Sequence, residues 1–117
     1  MNKLICVYKA CPSSPFEVQV ANGRCRLFSV WRGSIKQMSS FESPPVIQLY
    51  DATGATGTSG TLKATFVDTV NSHTASYGSH WSIDLPSSGI LFEEGIYFKG
   101  HEDCKGIGLF INGGKEN

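Results

Sequence analysis

Short runs in which apolar and polar side chains alternate recur along most of this chain, and proline or glycine ends nearly every run. The densest example is 82–99, where Ile83 and Leu85 alternate with polar neighbours, a Pro-Ser-Ser-Gly break follows, and Ile90 restarts the pattern. Period-two spacing is typical of β-strands, because alternate side chains of a strand face the same side. This stretch therefore predicts two short strands, a turn and a third strand, and we expect the rest of the chain to frame it.

The same alternation predicts further strands on either side of that stretch. They cover residues 1–9, 16–21, 24–32, 46–50, 61–69 and 106–112. Within the 24–32 strand, strict alternation places on one face Cys25, Leu27, Ser29 and Trp31, and on the other Arg24, Arg26, Phe28, Val30 and Arg32. Within the 46–50 strand, Ile47 and Leu49 are expected to share one face.

Glycine, proline and serine mark the connections between these strands. Asn22-Gly23 predicts a tight hairpin, because both residues accept a positive φ. Pro12 and Pro15 interrupt the N-terminal apolar segment. Residues 33–45 and 71–80 are expected to be long polar connections, and 51–60 a flexible hairpin loop. The last of these is rich in glycine, but it lacks the Lys-Ser/Thr ending of a phosphate-binding loop.

No segment shows an amphipathic helical period of useful length. The 117 residues have room for one domain. Many short strands in a chain of this length predict an all-β fold, a single antiparallel β-sandwich or jelly-roll-like domain over 16–117. Residues 1–15 are expected to form an N-terminal strand or arm.

Charge narrows the possible partners. Ten basic and ten acidic residues balance, so there is no positive field of the kind that an unassisted nucleic-acid-binding protein needs. Charged residues make up 17% of the chain, below the usual figure of about 25%, and we expect a partner to cover part of such a surface. The N-terminal apolar run is too short for a secretory leader or a membrane span. We therefore expect synthesis in the cytoplasm and neither nucleic acid nor membrane as a partner.

Candidate chemistry is sparse, and we expect neither a catalytic residue nor a cofactor. The most site-like cluster is His101-Glu102-Asp103-Cys104, but a metal would need a further ligand such as His73 or His80, and a polar turn explains the same residues. We therefore predict no metal site. Glu93-Glu94 before Gly95 is interpreted as a solvated corner. The sequence thus predicts a protein that is not an enzyme.

The four cysteines, Cys6, Cys11, Cys25 and Cys104, include no CxxC pair. Free thiols are the expected state, with at least one buried as a small apolar group. A Cys6–Cys11 bridge that closes a small loop is the alternative left open.

Four bulky aromatic residues in or beside predicted loops are the candidates for a contact surface: Trp31, Phe41, Tyr77 and Trp81. In sheet proteins such side chains more often pack in a core or between subunits than bind a ligand. A carbohydrate-binding or tail/adhesion module is the alternative. Aromatic rings on one exposed face beside Asp or Asn would favour carbohydrate, whereas rings covered by a second subunit would favour assembly.

Three segments in order carry a family resemblance. They are 23–31 (GRCRLFSVW), 46–51 (VIQLYD), and 82–97 with its proline turn, Ile-Leu-Phe step and Gly-Ile-Tyr strand. Over residues 22–112 this order resembles small structural proteins of tailed bacteriophages, especially those of aquatic and cyanobacterial hosts. The resemblance implies a β-sandwich that forms homo-oligomers, often trimers, and sits on the virion as a decoration or cement protein bound to the major capsid protein. The proline-broken N-terminus departs from that pattern and is a candidate arm that reaches a neighbouring subunit.

Overall fold

The computed structural model describes residues 4–13, 15–32, 46–67, 81–86, 88–101, 104 and 106–117. These residues form eight β-strands and a short 3-10 helix at Gly57–Ser59. The strands are β1 (Leu4–Ala10), β2 (Glu17–Arg32), β3 (Val46–Asp51), β4 (Thr61–Val67), β5 (Trp81–Asp84), β6 (Ile90–Phe92), β7 (Gly95–Lys99) and β8 (Gly106–Glu116). The all-β prediction is confirmed. Among the described residues, no helix has the length and hydrophobicity needed to cross a bilayer.

All eight strands belong to one antiparallel sheet with the order β1-β8-β2-β7-β3-β4. The long strand β2 lies at its centre, with β8 along one edge and with β7, β6 and β5 paired in turn along the other. The smallest dimension of the molecule is 19 Å, which fits two sheet layers about 10 Å apart. The sheet therefore folds over its own core, and the domain is sandwich-like.

The core is drawn from the alternate positions that the sequence marks as apolar. Its fully buried large side chains are Leu27, Ile47, Leu49, Phe92, Ile96, Phe98, Ile107, Leu109 and Ile111. Each contributes about 1.5–3 kcal/mol to folding relative to an exposed position. The stretch 82–99 supplies the two short strands, the break and the third strand that its pattern predicts. Its first two strands pair with β2 and so continue one another along the same edge.

The predicted hairpin at Asn22-Gly23 is wrong. Strand β2 runs through these residues without turning, and its register against β8 shifts between Asn22 and Cys25. Gly23 has φ 84°, and across from it Gly113 and Gly114 have φ 85° and 65°. The sequence correctly indicates a positive φ at Gly23, but this conformation belongs to a β-bulge, which bends a strand without reversing its direction. For the same reason β8 continues past Gly113-Gly114, where its end was predicted.

The faces predicted for β2 agree with the burial of Cys25 and Leu27 but are wrong beyond Leu27. A second register shift, between Leu27 and Ser29, inserts an extra residue into the strand. Leu27 and Val30 are therefore both buried, although strict alternation places them on opposite faces. After the bulge, Trp31 lies on the outward side of the sheet.

The connection between β3 and β4 is a hairpin loop, as predicted, but it is compactly ordered. Thr56 and Gly57 both donate backbone N–H groups to the Thr53 carbonyl, at 3.2 and 2.8 Å, before the 3-10 turn. Asp51, at the end of β3, is 7% exposed. Its carboxylate accepts the N–H groups of Glu93 and Glu94 at 2.9 and 2.8 Å. This loop therefore begins at a polar anchor that fixes the β6–β7 corner, while the predicted connections 33–45 and 71–80 lie outside the described residues.

Candidate functional site: the outer face of β1, β8 and β2

One side of the sheet carries aromatic and apolar side chains that the core does not use. The buried residues Val7 on β1, Leu109 on β8 and Val30 on β2 define the core side of these strands. Alternate positions point away from it. We call this second side the outer face and define it by Leu4, Cys6, Tyr8, Trp31 and Phe110.

The centre of the outer face is a pair of stacked rings. The centroids of Tyr8 and Trp31 lie 5.2 Å apart, and the ring planes are 17° from parallel. Pairing brings both residues opposite Gly108, one from each side. Offset stacking of this kind adds about 0.5–1.5 kcal/mol beyond the area that the rings bury.

Two glycines of β8 make room for these rings. A Cβ on Gly108 would lie 1.9 Å from Cε2 of Trp31. A Cβ on Gly106 would likewise overlap the Tyr8 ring and its hydroxyl oxygen. Both rings therefore lie directly against the backbone of β8, which holds them in place.

The outer face is open to solvent in the single chain. Leu4 is 57% exposed and Tyr8 41%, and the Cys6 thiol is exposed as well. Burial raises the pKa of the Tyr8 phenol above its usual value, and the nearby Cys104 and Cys11 thiols raise it further. The phenol therefore stays neutral near neutral pH, and its hydroxyl can donate a hydrogen bond to a partner.

Polar side chains border this apolar surface. Asp84 lies opposite Ser29, and Asn112 lies between Leu4 and Arg26 in the register of the sheet. Directly cross-strand side chains share a face, so Asp84 and Asn112 belong to the same side as the stacked rings. A cleft of about 300 Å³ adjoins Asn112 and is lined also by Arg24, Cys25, Arg26, Leu91 and Gly113.

The two terminal strands of the sheet add open edges. In the part of the chain that the structure describes, strands β1 and β4 end the strand order, so each pairs with a described strand on one side only. Strand β4 carries Leu62 and Val67, which are 45% and 52% exposed. An exposed apolar edge strand offers unpaired backbone groups to another chain. Edge and outer face meet at β1, where the exposed residues Leu4, Cys6 and Tyr8 lie.

Of the contact candidates proposed from the sequence, Trp31 lies in the outer face. Phe41 and Tyr77 lie outside the described residues, and of Trp81 the structure describes the backbone, opposite Arg32 in β5. Tyr8 and Phe110 were missed by the sequence reasoning. The glycines at 106 and 108 could have indicated them. These glycines alternate with apolar core residues, so the side of the strand that faces away from the core has space for large side chains of neighbouring strands.

The cluster predicted as most site-like is only partly described. The Cys104 N–H donates to the His101 carbonyl at 3.0 Å, as in a turn. Within the described ranges no group of three His, Cys, Asp or Glu side chains is placed to hold a metal ion. His73, His80, Glu102 and Asp103 lie outside those ranges. Glu93 forms an ion pair with Arg24 at 3.2 Å, and both side chains are more than half exposed.

Comparisons of the chain with protein-family models, with curated proteins and with solved structures give no match.

Proposed function

We propose that this chain is a structural virion protein of a tailed bacteriophage. In this proposal it is a decoration or cement protein that forms homo-oligomers, trimers by the family resemblance, and binds the lattice of the major capsid protein. The observation that carries the proposal is the outer face, an apolar and aromatic surface next to the open edge of β1. The role is structural rather than catalytic.

The chemistry of the surface suits assembly. Leu4, Cys6 and Tyr8 form one row along an edge strand, so a neighbour that pairs with β1 would also cover this row. Aromatic anchors in a covered patch supply most of the affinity of protein interfaces. Equal numbers of basic and acidic residues leave little repulsion between copies. A repeating shell presents many identical sites, so a modest affinity per copy stabilises the whole shell by linkage.

The test is the mass of the chain in solution, measured by light scattering alone and after mixing with empty phage heads. The proposal predicts an oligomer that co-sediments with the heads and raises the temperature at which they disrupt. A monomer that does not bind heads would contradict it.

Two matched variants locate the contact surface. Leu4→Ser removes an exposed apolar side chain from the outer face, and Leu62→Ser removes one of similar exposure from β4. Neither side chain is in the core, so both variants should unfold within about 0.5 kcal/mol of the native chain. We expect Leu4→Ser to weaken assembly and Leu62→Ser to leave it unchanged. The opposite order would move the contact to the β4 edge.

Carbohydrate binding is the second candidate, favoured by one observation. The stacked rings of Tyr8 and Trp31 share their side of the sheet with Asp84 and Asn112. An aromatic ring that packs on a sugar, together with carboxylate and amide groups that hydrogen-bond its hydroxyls, is a common arrangement for binding small polar ligands. Leu4 and Phe110 make the same surface more apolar than a sugar requires, which is why assembly is preferred.

Tryptophan fluorescence separates the two candidates. Chito- and cello-oligosaccharides are titrated into the native chain and into Trp31→Phe, which keeps Trp81 as the remaining indole. A saturable change that is lost in Trp31→Phe would support the carbohydrate function. No change with either series, combined with binding to heads, would leave assembly as the function of this face.

A further inference from the structure

Two cysteines that are distant in sequence meet at one end of the sheet. Cys11 follows β1, and Cys104 lies in the connection between β7 and β8. The Cys11 thiol lies 3.8 Å from the His101 carbonyl oxygen, which also accepts the Cys104 N–H at 3.0 Å. The fold therefore brings both cysteines to the same carbonyl group, and each thiol shifts the pKa of the other, downward for Cys11 and upward for Cys104.

We propose that Cys11 and Cys104 form a thiol–disulfide modification site, at which a low-molecular-weight disulfide such as oxidised glutathione converts the two thiols into an intramolecular bond. The bond fixes the β1–β2 connection to the β7–β8 connection and so ties the edge strand β1 to the sheet. This inference is independent of the proposed virion function.

The two thiols differ in ways that assign their order of reaction. Cys11 is half-buried, and the hydrogen bond from Cys104 lowers its thiol pKa. Cys104 is 5% exposed, and its pKa is raised first by that same hydrogen bond and then by burial. The thiolate is the nucleophile in disulfide exchange. Cys11 is therefore the attacking group and Cys104 the resolving one.

The reaction balances with the disulfide as oxidant. The Cys11 thiol loses its proton, its thiolate attacks one sulfur of oxidised glutathione, the S–S bond of glutathione breaks, and the departing glutathione thiolate takes up a proton in place of the one that Cys11 released. Once Cys11 is a mixed disulfide, its sulfur carries no negative charge that would keep the proton on the Cys104 thiol. Cys104 can then lose this proton and form a thiolate. Its thiolate attacks Cys11 Sγ and releases the second glutathione, which takes the Cys104 proton. Both protein thiols are oxidised, and one glutathione disulfide is reduced.

The other two cysteines are poor partners. Cys6 is four residues before the end of β1, so its Cα lies about 13–14 Å from that of Ala10, and Cys11 cannot reach the limit of about 7 Å for a bridge. The alternative Cys6–Cys11 bridge is thus incompatible with β1 as a strand. Burial and the Asp51 carboxylate raise the pKa of Cys25 to about 11, which leaves its thiol unreactive at neutral pH.

The experiment maps disulfides in the folded chain with all four cysteines present. The reduced protein is incubated with oxidised glutathione, free thiols are alkylated, and the digest is analysed by mass spectrometry. We expect a Cys11–Cys104 linked peptide with no glutathione retained on either residue. Cys104→Ser should retain glutathione on Cys11, because the resolving thiol is gone, and Cys25→Ser is the matched control that should form the bond as the native chain does.

Thermal unfolding supplies a second readout. The oxidised native chain should unfold several degrees above the reduced chain, because the bond closes a long loop, and reductant should reverse the shift. Cys11→Ser should show no difference between the two conditions. Recovery of Cys11 and Cys104 as free, alkylated thiols while Cys6 carries glutathione would overturn the proposal.

Discussion

Gly108→Ala tests whether the backbone of β8 holds Trp31 in the outer face. The new methyl group would lie 1.9 Å from Cε2 and 2.3 Å from Cζ2 and Nε1 of Trp31. To reach an ordinary contact of 3.4 Å the ring must retreat by about 1.5 Å, which removes it from its stack on Tyr8. Overpacking costs about 1–3 kcal/mol and the lost stack about 0.5–1.5 kcal/mol. Replacing glycine by alanine in a strand by itself stabilises the fold by about 0.5–1 kcal/mol. We therefore expect the free energy of unfolding to fall by about 2 kcal/mol in total.

Urea unfolding measures this loss as a lower midpoint, about 1 M for a domain of this size. Near-ultraviolet circular dichroism reports on the ring itself and should change in the folded variant. Gly54→Ala is the matched control, because its Cβ would meet nothing nearer than Gln19 Cβ at 4.0 Å. In a Trp31→Ala background, Gly108→Ala should cost nothing. If Gly108→Ala matches Gly54→Ala in both midpoint and spectrum, Trp31 does not lie on Gly108 and the outer face is not built as described.

The remaining predictions concern the supports of the fold. Asp51→Ala should lower the free energy of unfolding by about 2–4 kcal/mol in urea titrations, because it leaves the N–H groups of Glu93 and Glu94 without their charged acceptor; an unchanged midpoint would show that this anchor is unimportant. Gly89→Ala should cost about 2 kcal/mol or more, since φ is 67° there and the new Cβ would overlap the Leu27 carbonyl; stability equal to that of the native chain would refute the assigned turn. The pKa of Cys25 is raised from 9.0 to about 11, so the unfolded chain loses this proton first, and stability should fall as pH rises from about 9 to 11. The urea midpoint of Cys25→Ala should fall less than that of the native chain between about pH 8 and about pH 10.5. An equal fall in both chains would contradict the raised pKa of Cys25.

Local pattern was sufficient to predict where apolar strands occur. Ile47 and Leu49 are buried on one face of β3 as their alternation predicts, and β7 begins at Gly95, the glycine from which the third strand of 82–99 was predicted to start. These properties depend on near neighbours in the chain. A strand that buries one face needs a period of two wherever it lies in the sheet.

Pairing between distant strands decided what local pattern could not. Asn22-Gly23 has the residues of a hairpin, but β8 pairs with β2 on both sides of it, so the same backbone freedom makes a bulge. The bulge beside Phe28 then reverses which residues of β2 face the core. The alternation of residues along β2 does not reveal this bulge, because a residue is extra only in comparison with the strand that pairs with β2.

The candidate site depends on long-range contacts even more strongly. Trp31 was predicted as a contact residue from its size and position, whereas its partner Tyr8 lies on the preceding strand, and the two meet only because both are paired opposite Gly108 of the C-terminal strand β8. Cys11 and Cys104 likewise meet only because β1 and β7 end at the same side of the sheet. Sequence spacing lists the groups that are available, and the sheet order selects which of them meet.

Labelling of Cys6 tests the central claim, that assembly covers the outer face, most directly. The Cys6 thiol is exposed beside Leu4 and Tyr8, so a maleimide reports on this surface without any substitution, and Cys6→Ser gives the background from the other thiols. We predict rapid labelling of Cys6 in dilute free chain and strong protection once the protein is bound to empty phage heads. Equal labelling rates for free and head-bound protein would contradict the account.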